Sequence, residues 1–141
     1  MIFVDTSFFL ALFSRRDTHH ERVREVLERY VDRSLPQTFV TTDVVILEAI
    51  TAARARVSHE LAVFVGERLY SERIARIYVT TLEEHRAAFE YLKRCKDKAY
   101  SAVDCLSFVV MEKLGIREAL ALDDDFTHHF VAIPGPLTRR R

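Results

Sequence analysis

The chain has few of the residues that mark loops and disulfides, and it has no formal net charge. Its 141 residues include three glycines and three prolines, which predicts a compact, helix-rich fold with few long loops. The two cysteines, Cys95 and Cys105, form no recognisable disulfide or metal framework and are expected to be thiols of a reducing compartment. Because the formal net charge is zero, any contact with nucleic acid must use a local patch.

The sequence also lacks an apolar run long enough to cross a bilayer. The stretch MIFVDTSFFLALF has no basic residue before its apolar part, is interrupted by Asp5 and precedes no small-residue cleavage site, so no signal peptide is expected. Hydrophobic residues make up 49% of the chain and charged residues 30%, as in globular domains. We expect one domain over residues 1–141, in the cytoplasm and without a membrane partner.

Segments with strand and helix patterns alternate along the chain. This alternation predicts an α/β fold with a central parallel sheet of four or five strands, flanked by helices on both faces. Asp43, Ser58 and Ser101 are expected to begin helices, and Gly115 to end one. The predicted strands are 2–4, 37–42, 74–80, 118–123 and 130–134, and the predicted helices are 8–14, 17–32, 43–56, 58–70, 82–95 and 101–114.

One acidic residue is hard to explain by local structure. Glu48 lies in VVILEAITAA, with no Lys or Arg within four residues on either side. Burial of an unpaired charge costs several kcal/mol or more, so a buried Glu48 needs a partner from elsewhere.

Three more carboxylates interrupt apolar runs: Asp5, Asp104 and Asp123. Each has a structural explanation: Asp5 can cap a helix, Asp104 has the capping-box spacing from Ser101, and the three aspartates from Asp123 can form a turn. Asp5 and Asp123 also fall where predicted strands end, and sites in parallel sheets form beyond the carboxyl ends of strands.

Convergence of the four carboxylates would raise their pKa values through mutual repulsion. A divalent cation removes this conflict, and hard oxygen ligands favour Mg²⁺ or Mn²⁺ over zinc. One or two such ions suit phosphodiester hydrolysis by activated water, without a protein nucleophile.

These residues carry a resemblance to a known family. FVDTSFFLAL and YSAVDCLSFVVMEKLGIREALALDDDF resemble the first strand and the C-terminal block of PIN domains, the ribonuclease fold of VapC-type toxins in toxin–antitoxin pairs. The resemblance covers nearly the whole chain. It implies an endoribonuclease that depends on Mg²⁺ or Mn²⁺, a homodimer, and a VapB-like antitoxin that blocks the site.

The resemblance also implies roles for individual residues. Asp5, Glu48, Asp104 and Asp123 would be the catalytic, metal-binding carboxylates, with Asp125 a weaker candidate for contact through water. The hydroxyls of Thr6 and Ser101 would orient these carboxylates or contact the phosphate. The chain departs from the family at Ala121, where relatives usually carry Thr or Ser, and loss of that hydroxyl is expected to weaken support of Asp123 and lower metal affinity.

Several basic residues are candidates for contact with the RNA backbone. A positive cluster beside a metal site attracts phosphates, although a solvated helix end explains it equally well. Arg56 is expected to face the same rim, whereas the terminal TRRR segment is expected to be a flexible tail and the histidines to have surface roles. The backbone candidates are Lys93, Arg94, Lys96, Lys98 and Arg54.

Other functions fit the sequence less well. A haloacid-dehalogenase-type phosphatase needs an aspartate at the position of Ser7, and a receiver domain needs adjacent acidic residues that the chain lacks. A housekeeping PIN nuclease of RNA processing stays open. A non-catalytic PIN-fold interaction module predicts loss of a core carboxylate, whereas all four are present.

Overall fold

A computed structural model describes residues 1–136, so the TRRR segment lies outside the described residues. Seven α-helices and five strands occur in residues 1–136, with a 3₁₀ helix at Asp125–His128. The strands are β1 (Ile2–Val4), β2 (Phe39–Thr42), β3 (Arg76–Tyr78), β4 (Glu118–Ala121) and β5 (Val131–Pro134). The helices are α1 (Thr6–Phe13), α2 (His20–Glu28), α3 (Leu35–Thr38), α4 (Asp43–Arg56), α5 (His59–Tyr70), α6 (Leu82–Arg94) and α7 (Ala102–Leu114).

The five strands form one parallel sheet in the order β3-β2-β1-β4-β5, which confirms the predicted α/β class. Strand β1 is central, with Phe3 opposite Val40 of β2 and Val4 opposite Leu120 of β4. The chain leaves β1 toward β2 and returns on the other side at β4, so the strand order reverses next to Asp5. In open parallel sheets this switch point is where sites form.

The core lies between the sheet and its helices. Right-handed crossovers place α1, α4 and α5 on one face and α6 and α7 on the other, in agreement with the contacts of α1 with α4, α4 with α5 and α6 with α7. Phe3, Phe8, Phe9, Phe108 and Phe126 are buried in this core. No helix in residues 1–136 is long and apolar enough to span a membrane.

Some predicted element boundaries were wrong. Thr42, not Asp43, is the N-cap of α4 and accepts a hydrogen bond from the Val45 amide, while the Asp43 carboxylate accepts bonds from Thr80. A short helix occupies the start of the strand predicted at 37–42, because Pro36 favours the first turn of a helix. Helix α2 ends at Glu28, four residues before the predicted end.

Helix α7 begins and ends as predicted. Ser101 is its N-cap, and a capping box joins Ser101 to Asp104. Gly115 ends the helix with φ of 69°, a left-handed conformation that side chains other than glycine rarely adopt. Ser58 is likewise the N-cap of α5 and accepts from the Leu61 amide. The capping box places Asp104 in the first turn of α7.

Candidate active site

A cleft of about 320 Å³ opens at the carboxyl edge of the sheet. Strand β1 delivers Asp5, α4 delivers Glu48, α7 delivers Asp104, and the segment after β4 delivers Asp123. The four predicted carboxylates therefore line one cleft. Its lining is Asp5, Thr6, Ser7, Leu10, Glu48, Ala52, Arg56, Ser101, Asp104 and Asp123.

Asp5 is the most deeply buried of these carboxylates, with 3% of its surface exposed. It is the N-cap of α1: its Oδ2 accepts the Ser7 amide at 3.2 Å and the Ser7 hydroxyl at 2.8 Å. Burial, and then the charge of Asp123, raise the pKa of Asp5 to about 7 against the pull of these bonds. The capping interpretation of Asp5 is thus correct, and the same carboxylate also lines the cleft.

Asp104 is held by the capping box and is nearly buried. The Ser101 amide donates to its Oδ2 at 3.0 Å, and the Ser101 hydroxyl accepts the Asp104 amide at 3.0 Å. Burial raises the pKa of Asp104, and the charge of Glu48 adds to the rise. Burial, and then the charge of Asp104, raise the pKa of Asp125. Asp125 is therefore a neighbour of Asp104 but does not itself line the cleft.

Asp123 has an oxygen that is buried without a protein partner. Its Oδ1 makes no hydrogen bond within residues 1–136. Burial, and then the charges of Asp104 and Asp125, raise its pKa to about 6. Ala121, two residues earlier, is buried. Its methyl side chain offers Asp123 no hydroxyl where relatives usually carry Thr or Ser.

Glu48 is less buried than its apolar surroundings suggested. It is half-buried, and the neighbouring Leu47 is 57% exposed. The apolar run around it therefore covers only part of its surface, and Glu48 reaches the cleft from one turn inside α4. An apolar run in the sequence therefore does not bury Glu48 completely, because adjacent helical residues face different directions.

Ser7 is a site residue that the sequence interpretation missed. Its hydroxyl donates to Asp5 Oδ2 and accepts the Leu122 amide at 3.1 Å, so it joins α1 to the segment that carries Asp123. Thr6 was expected to orient a carboxylate, but its buried hydroxyl has no partner within residues 1–136. The sequence Asp5-Thr6-Ser7 indicates that a hydroxyl supports Asp5, but it does not show which of the two hydroxyls does so.

The basic candidates lie at different places. Arg56 lines the cleft, whereas Arg54 lines a separate apolar groove of about 660 Å³ between α4 and α5. The other four candidates are exposed and lie at the end of α6 or in the loop before Ser101. Of these, Lys93 pairs with Glu90 at 2.7 Å. These four are Lys93, Arg94, Lys96 and Lys98.

The donor set suits a hard divalent cation. It consists of carboxylate oxygens, and one of them, Asp123 Oδ1, is buried without a partner. Within residues 1–136, however, no three His, Cys, Asp or Glu side chains stand in a ready-made metal cage.

Three comparisons relate this arrangement to known proteins. Residues 2–129 match the PIN domain. The chain is 35% identical over 127 residues to the 23S rRNA-specific endonuclease VapC20 of Mycobacterium tuberculosis, covering 90% of this chain and 92% of that protein. The crystal structure of VapC20, a sarcin-ricin loop cleaving toxin, matches with a TM-score of 0.81 and 31% identity, covering 91% and 94% of the two chains. FitAcB from Neisseria gonorrhoeae shares the fold, with a TM-score of 0.61 and 14% identity over 94% and 96%.

The fold and the cleft define an α/β protein with a carboxylate site at the end of a parallel sheet. The chain belongs to the PIN domain family. The predicted resemblance to VapC-type toxins is confirmed by the likeness to VapC20 in sequence and structure. The predicted class of activity agrees with VapC20, whose names describe an RNA endonuclease and a toxin.

Proposed function

We propose that this protein is a metal-dependent endoribonuclease that hydrolyses RNA phosphodiester bonds. The observation that carries the proposal is the convergence of Asp5, Glu48, Asp104 and Asp123 on one cleft, with raised pKa values for the three aspartates. Carboxylates this close together repel one another, so a purely structural role would be better served by fewer charges. Raised pKa values clustered in a cleft are typical of functional sites.

The four carboxylates would hold Mg²⁺ or Mn²⁺, with Asp125 in contact through water. When bound, the ion supplies an activated water and neutralises charge on the phosphate. Ser7 holds Asp5, and Ser101 holds Asp104, through the hydrogen bonds described above. Both serines keep these carboxylates oriented. The half-buried Glu48 is the carboxylate with the most freedom to turn toward the ion.

The substrate is a ribosomal RNA loop, as for VapC20, and the protein is the toxin of a toxin–antitoxin pair. The 35% identity over 90% of the chain supports both statements. A VapB-like antitoxin would cover the cleft, and the protein would act in the cytoplasm as a homodimer. Lys93, Arg94, Lys96 and Lys98, all exposed before the Asp104 helix, would attract the RNA backbone and make binding depend on salt.

The test is cleavage of total cellular RNA by the purified chain with Mn²⁺, with Mg²⁺ and with EDTA, followed by sequencing of the RNA ends. Discrete cuts in the large ribosomal RNA that need both metal and Asp5 are expected. An Asp5→Asn variant is the matched control for contaminating nuclease. Metal-dependent cuts in other RNAs alone would retain the nuclease and favour the RNA-processing alternative. Cuts that persist in the variant or in EDTA would contradict the proposal.

A further inference from the structure

One cation lines the carboxylate cleft together with its acidic residues. Arg56 lies on the same face of α4 as Ala52 and Glu48, because residues four apart are neighbours on a helix. It makes no ion pair shorter than 4.0 Å anywhere in residues 1–136. Its guanidinium is therefore not used to neutralise Glu48 or the aspartates.

The helix directs this side chain toward the acidic residues. Cα–Cβ bonds in a helix tilt toward its N-terminus, and Glu48 lies two turns to the N-terminal side of Arg56. Ala52 lies between them and is small enough to leave the space above it open. The stem of Arg56 can therefore lie along α4, with its charged end over the cleft.

A cation inside the cleft favours the binding of RNA. Four carboxylates together with one divalent ion leave an excess of negative charge, which repels a phosphodiester. The guanidinium presents a planar fork of donors that matches two phosphate oxygens, and it stays charged at any physiological pH. A neutral or acidic side chain at this place would leave the repulsion uncompensated.

We propose that Arg56 is a substrate-binding residue that holds the RNA phosphate in the cleft. The inference rests on the proposed ribonuclease function and adds a residue to it. The structural alternative is that Arg56 only stabilises the C-terminal end of α4, where a cation interacts favourably with the helix dipole. Arg54 lies in the same last turn but lines the separate groove, so it shares this structural role and not the proposed one.

Arg54 therefore provides the matched control. The experiment measures kcat and KM for Arg56→Gln, Arg56→Lys and Arg54→Gln on an RNA oligonucleotide that contains the wild-type cut site, at several salt concentrations. We expect Arg56→Gln to lower kcat/KM by about 10- to 100-fold, the loss that follows from one charge-assisted hydrogen bond. Arg56→Lys should recover part of the loss, and Arg54→Gln should stay within about twofold of the wild type.

The salt dependence separates phosphate binding from a structural effect. Loss of one phosphate contact should make the plot of log kcat/KM against log salt shallower by about 0.7 for single-stranded RNA. All three variants should melt close to the wild type. Equal effects of Arg56→Gln and Arg54→Gln, or a loss of activity with an unchanged salt slope, would overturn the assignment of Arg56 alone. Failure of the wild type to cleave any RNA would overturn the ribonuclease function and this inference with it.

Discussion

Asp5 combines two roles that usually fall to different residues. As an N-cap it accepts the Ser7 amide and hydroxyl, which stabilises the start of α1. As a buried carboxylate next to Asp123 it has a pKa of about 7. An asparagine oxygen can accept the same two bonds without the charge. Exchange of Asp5 for asparagine therefore separates the helix cap from the charge.

We predict that Asp5→Asn abolishes cleavage without loss of stability. The folded wild type keeps a proton on Asp5 up to about pH 7, whereas the unfolded chain releases it near the ordinary value of 3.8. Without metal, this group therefore lowers the free energy of unfolding as pH rises between these values. Melting experiments in EDTA from pH 4 to pH 8 should show a smaller loss of stability with rising pH for Asp5→Asn than for the wild type. Parallel curves would contradict the raised pKa, and an Asp5→Ala control should lose about 1 kcal/mol of capping energy.

Ser7 and Thr6 form a natural pair for a second prediction. Ser7→Ala removes the hydroxyl between Asp5 and the Leu122 amide, which should cost about 1 to 2 kcal/mol and reduce metal affinity about 10-fold. Thr6→Val replaces a buried hydroxyl without a partner in residues 1–136 by a methyl group of similar shape, and should leave stability unchanged or higher. Urea unfolding and metal titration measure both effects. A larger loss of stability for Thr6→Val would contradict these assignments.

Away from the cleft, Glu84 joins three elements. Its carboxylate accepts the Tyr78 hydroxyl of β3 at 2.6 Å and Lys113 of α7 at 3.1 Å, and it completes a capping box with Thr81 at the start of α6. Burial disfavours the charged form, but the hydrogen bonds from Tyr78, Thr81 and Lys113 outweigh it and lower the pKa of Glu84 to about 2. This network holds the edge strand β3 against α6 and α7.

We predict that Glu84→Ala costs about 2 to 3 kcal/mol, the sum of a lost cap and lost hydrogen bonds to charged groups. The contribution of Glu84 to the free energy of unfolding should be complete above the ordinary pKa of 4.5. It should decline as pH falls toward 2, because the unfolded chain takes up a proton at a higher pH than the folded chain does. Cleavage by folded molecules should not change, since Glu84 does not line the cleft. The exposed neighbour Glu83 is the matched control, and an equal loss for Glu83→Ala would contradict the network.

The whole domain should respond to metal because its site joins distant parts of the chain. Residues 5, 48, 104 and 123 come from the central strand, two helices and the segment after β4, and an ion that binds only their folded arrangement stabilises the domain. We predict that Mg²⁺ or Mn²⁺ at about 100 times the dissociation constant raises the free energy of unfolding by about 2.7 kcal/mol.

The control for this effect is the double variant Glu48→Gln, Asp104→Asn. The free energy of unfolding of this variant should rise by no more than the small amount that monovalent salt produces at equal ionic strength. Calorimetric melting at fixed pH measures both proteins. Equal shifts in the wild type and the double variant would show that the ion binds elsewhere.

Elements with strong local signals could be predicted from the sequence. Helix α7 has a serine N-cap and a glycine stop, and both occur where expected. The end of α2 could not be predicted, because the apolar pattern continues past it, whereas the start of β2 was placed too early although Pro36 favours a helix start there. At the end of α2, Val31 fits the helical pattern but is 71% exposed, so no core contact was available to extend the helix.

The sequence was sufficient to single out the four carboxylates that line the cleft. Four carboxylates set in apolar runs could be recognised because apolar surroundings make an acidic residue costly unless it has a function. Strand periodicity placed Asp5 and Asp123 beyond strand ends. These properties depend on neighbours within a few residues, which the sequence records directly.

The tertiary structure decided what each of two similar neighbours contacts. Ser7 rather than Thr6 joins Asp5 to the segment after β4, because the Ser7 hydroxyl also accepts the Leu122 amide. Arg56 rather than Arg54 lines the cleft, because the packing of α4 against α1 and α5 sets which face meets Asp5. Both choices depend on contacts between residues far apart in the chain. Strand order and helix packing determine such contacts, and no local pattern encodes them.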